Sequence, residues 1–372
     1  MKFSCTQENI NRGVQIASHI TSRNVHLPIL HNVLIKAGEN GIECISTNLE
    51  VGIRVFVRGK VEEPGSLTIP AQLFSNYISL LSAERVDVSS EETTVHIQAG
   101  NQQTKIKGEG TAEFPLIPEV EQTHPILFPA KELKEAIKQV LIAISHDHSR
   151  PELTGALCAI KDQHLVLAAT DSYRLAERKI QSTNTGEVSS RSIIIPFPTL
   201  SELVRILPET DEEVKFFIGE NQLLFKTAEF EMTSRIIEGS FPDYEQIIPT
   251  QNRTKAIIDR EALIKSIKAA SLFSKSGIHD IHMHLSPEKQ IITLTAVNNQ
   301  VGENTVKIEA EILGESNNIV FNYRYVIDGL SNISTDKVHL SLIDNTNPGA
   351  FRPHGDADTT QSYVYIIMPI KQ

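Results

Sequence analysis

The sequence predicts an α+β fold made of three tandem copies of one unit, each holding two helices and roughly eight strands. Three observations carry that expectation. The length of 372 residues divides into three pieces of 124, and it exceeds one ordinary core at roughly 100–200 residues per domain. Junctions that end a strand and open a helix recur at Pro70, Pro196 and Asn322, 126 residues apart in both steps. Polar turns between apolar runs recur at Asn48, Asp171 and Asn298, with steps of 123 and 127. A period that long marks whole domains joined in tandem, since solenoid repeats run to roughly 20–50 residues. The expected domains are 1–121, 128–250 and 253–372.

Each unit opens with a short strand (MKFSC, PILFP, TKAIID) and then a helix, over 6–20, 129–145 and 259–274. Ile137, Val140, Leu141 and Ile144 in the second helix, and Leu263, Ile264 and Ile267 in the third, recur at helical spacing. One stripe of each helix therefore faces a core. A hairpin follows in GIECISTNLEVGIRVFV (41–57), HLVLAATDSYRLAERKI (164–180) and QIITLTAVNNQVGENTVKI (290–308). Asn and Asp suit its turn because their side chains bond nearby backbone and they tolerate positive φ. A strand, a break and a second helix come next, in SLTIPAQLFSNYISLL (66–81), SIIIPFPTLSELVRIL (192–207) and NIVFNYRYVIDGL (318–330). Proline or asparagine at the break ends the strand and starts the helix. FPLIP (114–118) and FPDYEQIIP (241–249) mark the exits, with Pro125 and residues 250–254 reading as linkers.

An apolar content of 40% with 22% charged residues is globular and excludes wholesale disorder. No run of about 18 apolar residues predicts a membrane span. The start, MKFSCTQENINRG, lacks the apolar core of a signal peptide, so a cytoplasmic protein is expected. Cys5, Cys44 and Cys158 are an odd number without CxxC spacing, which argues against a disulfide framework or a cysteine zinc site.

The formal net charge of −11 argues, as a total, against a nucleic-acid binder. Its placement argues the other way. Lys131, Lys134 and Lys138 lie at i, i+3 and i+7 on the second opening helix, opposite its apolar stripe. Lys265 and Lys268 repeat the i, i+3 spacing on the third, between Arg260 and Lys275; Arg12 and Arg23 belong to the first. Segments 6–23, 129–145 and 259–275 sum to +1, +1 and +2, leaving −15 for the rest of the chain. A lone lysine-bearing helix is a solvated face; the same helix in three copies is a shared basic surface.

Nothing in the chain reads as catalytic, and no cofactor is expected. His282 and His284 in HDIHMH (279–284) face one side of a strand beside Asp280, yet a third ligand and HExxH spacing are missing. His146-Asp147-His148 precedes Arg150 in a polar loop without a GxSxG setting, and His148 and Arg150 are placed for DNA contact at a helix end. Gly108-Glu109-Gly110 lacks the strand-to-helix context of a phosphate loop and carries an acid that repels phosphate.

LPIL (27–30), ATDSYRLA (169–176), GSFPDYEQIIP (239–249), FNYRYVIDGL (321–330), GAFRP (349–353) and YIIMPIKQ (365–372) stand in one order along the full chain. In these motifs and its triplicate repeat, the sequence resembles the bacterial DNA polymerase III β subunits, the sliding clamps. The resemblance implies the DNA-clamp fold: a head-to-tail homodimer whose six domains close a ring, helices lining the hole and sheets outside. It implies a processivity factor with no catalytic site, which encircles duplex DNA without sequence preference. It also implies docking of the replicative polymerase, the clamp loader and other proteins bearing a clamp-binding motif. Heterologous contacts generate rings when their rotation closes.

The resemblance further places a partner-peptide groove at Thr170, Ser172, Tyr173, Arg174 and Leu175, with Pro242, Ile247, Ile366, Met368, Pro369 and Ile370. Methionine and isoleucine beside two prolines fit an adaptable apolar groove. The chain departs from the family at Ser172 and Tyr173, where glycine and histidine are usual, and in its Lys371-Gln372 ending. For the dimer, the resemblance points to Leu272 and Phe273, opposed by Ile106 between Lys105 and Lys107, with Glu303 and Glu309 supplying complementary charge. Two rival functions predict different outcomes: a metal-dependent three-domain enzyme requires bound metal at His282 and His284, and a structural or carbohydrate-binding module shows no preference for circular DNA.

Overall fold

A computed structural model describes residues 1–21, 27–161, 163–184, 190–355 and 362–371. The first copy runs β1 (Lys2–Thr6), α1 (Gln7–Ile20), β2 (Asn32–Gly38), β3 (Gly41–Thr47), β4 (Val51–Val57), β5 (Gly59–Glu63), β6 (Gly65–Pro70), α2 (Ala71–Ser79), β7 (Arg85–Glu91), β8 (Thr94–Ala99) and β9 (Gln102–Lys107). The second runs β10 (Ile126–Pro129), α3 (Ala130–Leu141), β11 (Gly155–Lys161), β12 (His164–Thr170), β13 (Arg174–Gln181), β14 (Arg191–Pro196), α4 (Phe197–Ile206), β15 (Glu213–Ile218), β16 (Gln222–Lys226) and β17 (Phe230–Arg235). The third runs β18 (Thr254–Asp259), α5 (Arg260–Ser271), β19 (Asp280–Ser286), β20 (Ile291–Asn298), β21 (Gly302–Glu309), β22 (Glu311–Gly314), β23 (Asn317–Asn322), α6 (Tyr323–Ser331), β24 (Lys337–Leu342), β25 (Gly349–Pro353) and β26 (Tyr363–Ile367).

Local chemistry explains the repeated punctuation. Pro70, Pro196 and Asn322 are the N-cap residues of α2, α4 and α6. Thr6, Asp259 and Asn322 accept backbone N–H bonds from Asn9, Ala262 and Arg324, satisfying donors that a helix start leaves orphaned. Val14, Ile137 and Ile267 are among the fully buried residues of the three opening helices. The helix expected over 129–145 ends at Leu141; Ala143 and Ile144 leave it as turns yet stay buried.

The chain forms two compact units, and the second copy is divided between them. Unit one is Met1–Ala130 with Thr210–Ile236. It holds the sheets β5-β1-β7-β8-β9 and β10-β15-β16-β17-β4-β3-β2-β6. Unit two is Lys131–Glu209 with Ile237–Gln372. It holds the sheets β14-β11-β12-β13-β26-β25-β24-β18-β22 and β21-β20-β19-β23. In each larger sheet the last strand of one copy pairs antiparallel with the hairpin strand of the copy before it. β17 pairs with β4 and β26 with β13. The equivalent first-copy strand, β9, and third-copy strand, β21, each end a sheet.

Candidate partner-binding groove

The expected groove residues all belong to unit two, and several of them build or pair with the β12–β13 turn. Thr170 Oγ1 donates to the Arg174 carbonyl at 2.7 Å and accepts from Ser172 N at 3.1 Å. Asp171 Oδ1 accepts from Tyr173 N and Arg174 N at 2.9 and 3.0 Å. The positive φ falls on Ser172, at 76°, and not on the aspartate that the sequence favours for it. Pairing of β13 with β26 then sets Leu175 opposite Ile366, and Met368 N donates to the Tyr173 carbonyl at 2.9 Å.

The expected groove residues divide into floor, rim and scaffold. Leu175 and Ile366 are buried in a cluster with Ala168, Tyr244, Ala350 and Val364, so they form the floor. Tyr173, Ile247 and Met368 are exposed by 65%, 42% and 37%. Pro242, Pro369 and Ile370 are half-buried beside them in sequence. Arg174 is scaffold. Its side chain is 13% exposed, bonded to Asp171 at 3.0 Å and Asp328 at 2.6 Å, and its guanidinium lies 4.5 Å from the Tyr325 ring centroid. Burial alone would lower its pKa, but Tyr365, Asp328 and Asp171 hold it above the ordinary value. Tyr244 Oη donates to buried Glu177 at 2.6 Å, and burial followed by that bond pushes the phenol well up. Sequence reasoning missed Tyr244, Tyr325 and Asp328, because the ties that hold the groove run between distant segments.

The first copy shows what makes this site a groove. Thr47, Asn48, Leu49 and Glu50 reproduce the turn: Thr47 Oγ1 donates to the Val51 carbonyl, Leu49 N donates to Thr47 Oγ1, and Asn48 Oδ1 accepts from Glu50 N and Val51 N. Arg235 N donates to the Glu50 carbonyl as Met368 N does to Tyr173. The side chains differ. Gly52 stands where Leu175 does, Thr233 where Ile366 does and Arg235 where Met368 does. Ile117 sits 2.9 Å from where a Gly52 Cβ would lie, so the chain's own linker covers that spot. The same backbone turn thus carries an apolar cluster in the second copy and a glycine covered by Ile117 in the first.

The expected DNA-facing residues are less uniform than their spacing suggests. Lys131, Lys138, Lys265 and Lys268 are exposed. Lys134 is held by Glu209 at 3.2 Å and by the Leu207 carbonyl at 3.0 Å. Arg12 is clamped by both oxygens of Glu229. His148 is exposed in the loop after α3. Arg150 bonds Glu152 at 3.1 Å and Ser172 Oγ at 3.2 Å, which places it against the groove turn. Arg23 lies outside the described residues.

Leu272 ends α5 and is 74% exposed, with half-buried Phe273 next to it. Lys105, Lys107, Glu303 and Glu309 are exposed on the two edge strands. The Ile106 side chain is buried in its own copy, because the pleat turns it inward between the two lysines. Only its backbone is left for an opposing chain. Leu73 and Leu80, on α2 and at its end, are exposed apolar residues that sequence reasoning passed over. Their seven-residue spacing, off the buried Ala71, Phe74 and Ile78 stripe, was the available signal.

The histidine cluster holds no metal constellation. His282 Nε2 lies 3.6 Å from Asp280, and His284 Nδ1 lies 2.7 Å from Asn318 Oδ1. Among the described residues no group of three or more His, Cys, Asp or Glu has metal-holding geometry. Among the described residues no helix is long and apolar enough to cross a membrane.

Comparison with known proteins decides the family. The DNA polymerase III beta subunit models match in order: the N-terminal domain at residues 1–118, the central domain at 127–243 and the C-terminal domain at 245–371. The beta sliding clamp of Staphylococcus epidermidis is 30% identical over 383 residues, covering 100% of this chain and 99% of that protein. The chain belongs to the DNA polymerase III beta subunit family, the sliding clamps. The beta sliding clamp of Synechococcus elongatus is 28% identical over 376 residues. Among solved structures, the sliding clamp of Bacillus subtilis superposes with a TM-score of 0.93 at 28% identity, covering 100% of this chain and 99% of that one. The sliding clamp of Pseudomonas aeruginosa bound to griselimycin gives a TM-score of 0.93 at 25% identity, with both chains covered in full. The three-copy α+β clamp fold expected from the sequence is therefore this chain's fold. Sliding clamps are non-catalytic accessory subunits, and the metal-enzyme and structural-module alternatives give way to a clamp.

Proposed function

We propose that two copies of this chain, each with domains 1–121, 128–250 and 253–372, join head to tail into a ring around duplex DNA. The ring tethers the replicative polymerase and receives the clamp loader and repair proteins through the groove, in the cytoplasm. One observation supports the closure above others: β9 and β21 are the two strands that the repeat leaves at sheet ends. Their equivalents are paired in both unions within the chain, β17 on β4 and β26 on β13. Extending the pairing of Thr233 with Gly52 and Ser234 with Val51 by one repeat, with buried Ile106 in the place of buried Ser234, sets Lys105 opposite Glu303 and Ile106 opposite Gly302. Gly302 carries no side chain, and Phe273 lies 3.9 Å from where its Cβ would stand. Opposite charges across an antiparallel pair favour that register. Glu309 is six residues farther along β21, about 20 Å at the strand rise, and lies outside the overlap.

Exposed apolar residues occur in both end copies, with Leu73 and Leu80 on and after α2 in the first and Leu272, Val297 and Val301 in the third. Lys131, Lys138, Lys265 and Lys268 give the opening helices the charge for sequence-independent phosphate attraction. A ring held topologically slides on weak contacts, and a tethered polymerase rebinds as an intramolecular event. The decisive experiment loads the protein on a nicked circular plasmid with a clamp loader and then linearises it. Release on linearisation is expected; retention on the linear form would sink the reading.

A further inference from the structure

HDIHMH, which the clamp function leaves without a role, lines a cavity of unit two with its last three residues, His282, Met283 and His284. His282 and His284 project from one face of β19, with Thr295 and Thr293 opposite on β20. Asn318 of β23 completes the row of His284. The cavity, about 630 Å³, is bounded at one end by Ile370 and Lys371. Ile370 N donates to the Val320 carbonyl of β23 at 2.8 Å, so the terminal segment that carries Met368 into the groove is also tied down as a wall of this shelf. A peptide seated over Met368 and continuing past Ile370 passes directly onto it.

The chemistry of the shelf differs from that of the groove. Its lining contains no carboxylate, although the chain carries a net −11. It offers imidazoles, threonine hydroxyls, an asparagine amide and the exposed Lys371, while Lys307 stands opposite Thr293 on β21. The nearby acids are already engaged. Asp280 accepts from Ser274 Oγ and Lys275 N besides facing His282, and Asp344 accepts from Thr346 and Asn347. Donors gathered around a space without acceptor charge suit a carboxylate, which bonds them more strongly than a neutral group does.

We propose that this shelf binds acidic residues flanking the apolar anchor of a partner peptide, and so selects among partners that the groove alone treats alike. The proposal rests on the groove reading. Its test uses fluorescence anisotropy with a labelled ten-residue peptide copied from the C-terminus of the same organism's replicative polymerase. The peptide is used bare, extended at either end by Glu-Asp-Glu, or extended by Ser-Ser-Ser. One acidic extension should tighten binding at least fivefold over its serine counterpart. The gain should vanish in the triple variant His282→Gln, His284→Gln, Lys371→Gln, while the bare peptide binds that variant as it binds the parent. Equal affinity for acidic and serine extensions, or a gain that survives in the triple variant, would overturn the shelf while bare-peptide binding sensitive to Met368→Ala keeps the groove. Failure of every peptide to bind would overturn both.

Discussion

The Tyr244 hydroxyl donates to Glu177 at 2.6 Å, joining the segment that carries Ile247 to the strand that carries Leu175. Glu177 is 6% exposed, pairs with Lys179 at 3.2 Å and also feels the charge of Arg352. Removing the hydroxyl strands much of a buried carboxylate, a loss of about 1–3 kcal/mol. Tyr244→Phe should therefore lower the denaturation midpoint in guanidinium at an unchanged slope. It should also weaken peptide binding, since Ile247 loses its anchor. An unaltered midpoint would show that Lys179 and Arg352 satisfy Glu177 without the tyrosine.

Met368 and Ile247 are exposed apolar residues two and three positions from Ile366 and Tyr244 of the buried cluster that also holds Leu175. Replacing both by alanine should weaken a polymerase C-terminal peptide at least tenfold, about 1.4 kcal/mol. Arg235→Ala, at the position equivalent to Met368 in the first junction, should change nothing. Calorimetric titration of the three proteins distinguishes a real groove from general apolar stickiness.

The fold was legible because its signals are local and threefold. A proline or asparagine at each strand-to-helix break and an Asx residue in each hairpin turn act within a few residues, so three copies reinforce one reading. The groove was legible through its motifs only in part. Leu175 and Ile366 look alike in sequence to rim residues, and only the pairing of β13 with β26 turns them into floor. Arg12 and Lys134 read as free cations, but their partners Glu229 and Glu209 are 217 and 75 positions away, and Arg150 is shared between nearby Glu152 and Ser172, 22 positions away. That the Ile106 side chain turns inward was not legible, because alternation gives a strand two faces and sequence alone does not say which one is buried.

The edge register makes a charge-swap test possible. Lys105→Glu should set like charges opposite each other at Glu303 and weaken the dimer about fivefold, near 1 kcal/mol. Glu303→Lys alone should do the same, and the double variant should recover most of the loss. Leu272→Ala with Phe273→Ala should give monomers, because those side chains add apolar area and not charge alone. Sedimentation velocity over a dilution series reads all four. A double variant as weak as the two single losses combined would refute the register.

Lys131 and Lys138 are exposed on α3, whereas Lys134 is committed to Glu209. Changing the first two to alanine should flatten the salt dependence of DNA binding, by about 0.9 in the log–log slope for each phosphate no longer neutralised. Lys134→Ala should leave that slope nearly unchanged and act on stability instead. Filter binding from low to moderate salt separates the two effects.

His339 sits in the nine-stranded sheet, paired with Ile257 on one side and Arg352 on the other. Burial first, then the positive charges of Lys255 and Arg352 and the neighbouring His354, lower its pKa. The folded protein thus prefers the neutral ring more than the unfolded chain does, whose histidine titrates near 6.5. A depressed folded pKa gives stability that is complete above the unfolded value and is lost as pH falls through the folded one. Melting temperature should therefore drop as pH falls from about 6.5 toward 5, and His339→Gln should flatten that decline. A variant whose melting temperature falls as steeply as the parent's would assign the acid sensitivity to other groups.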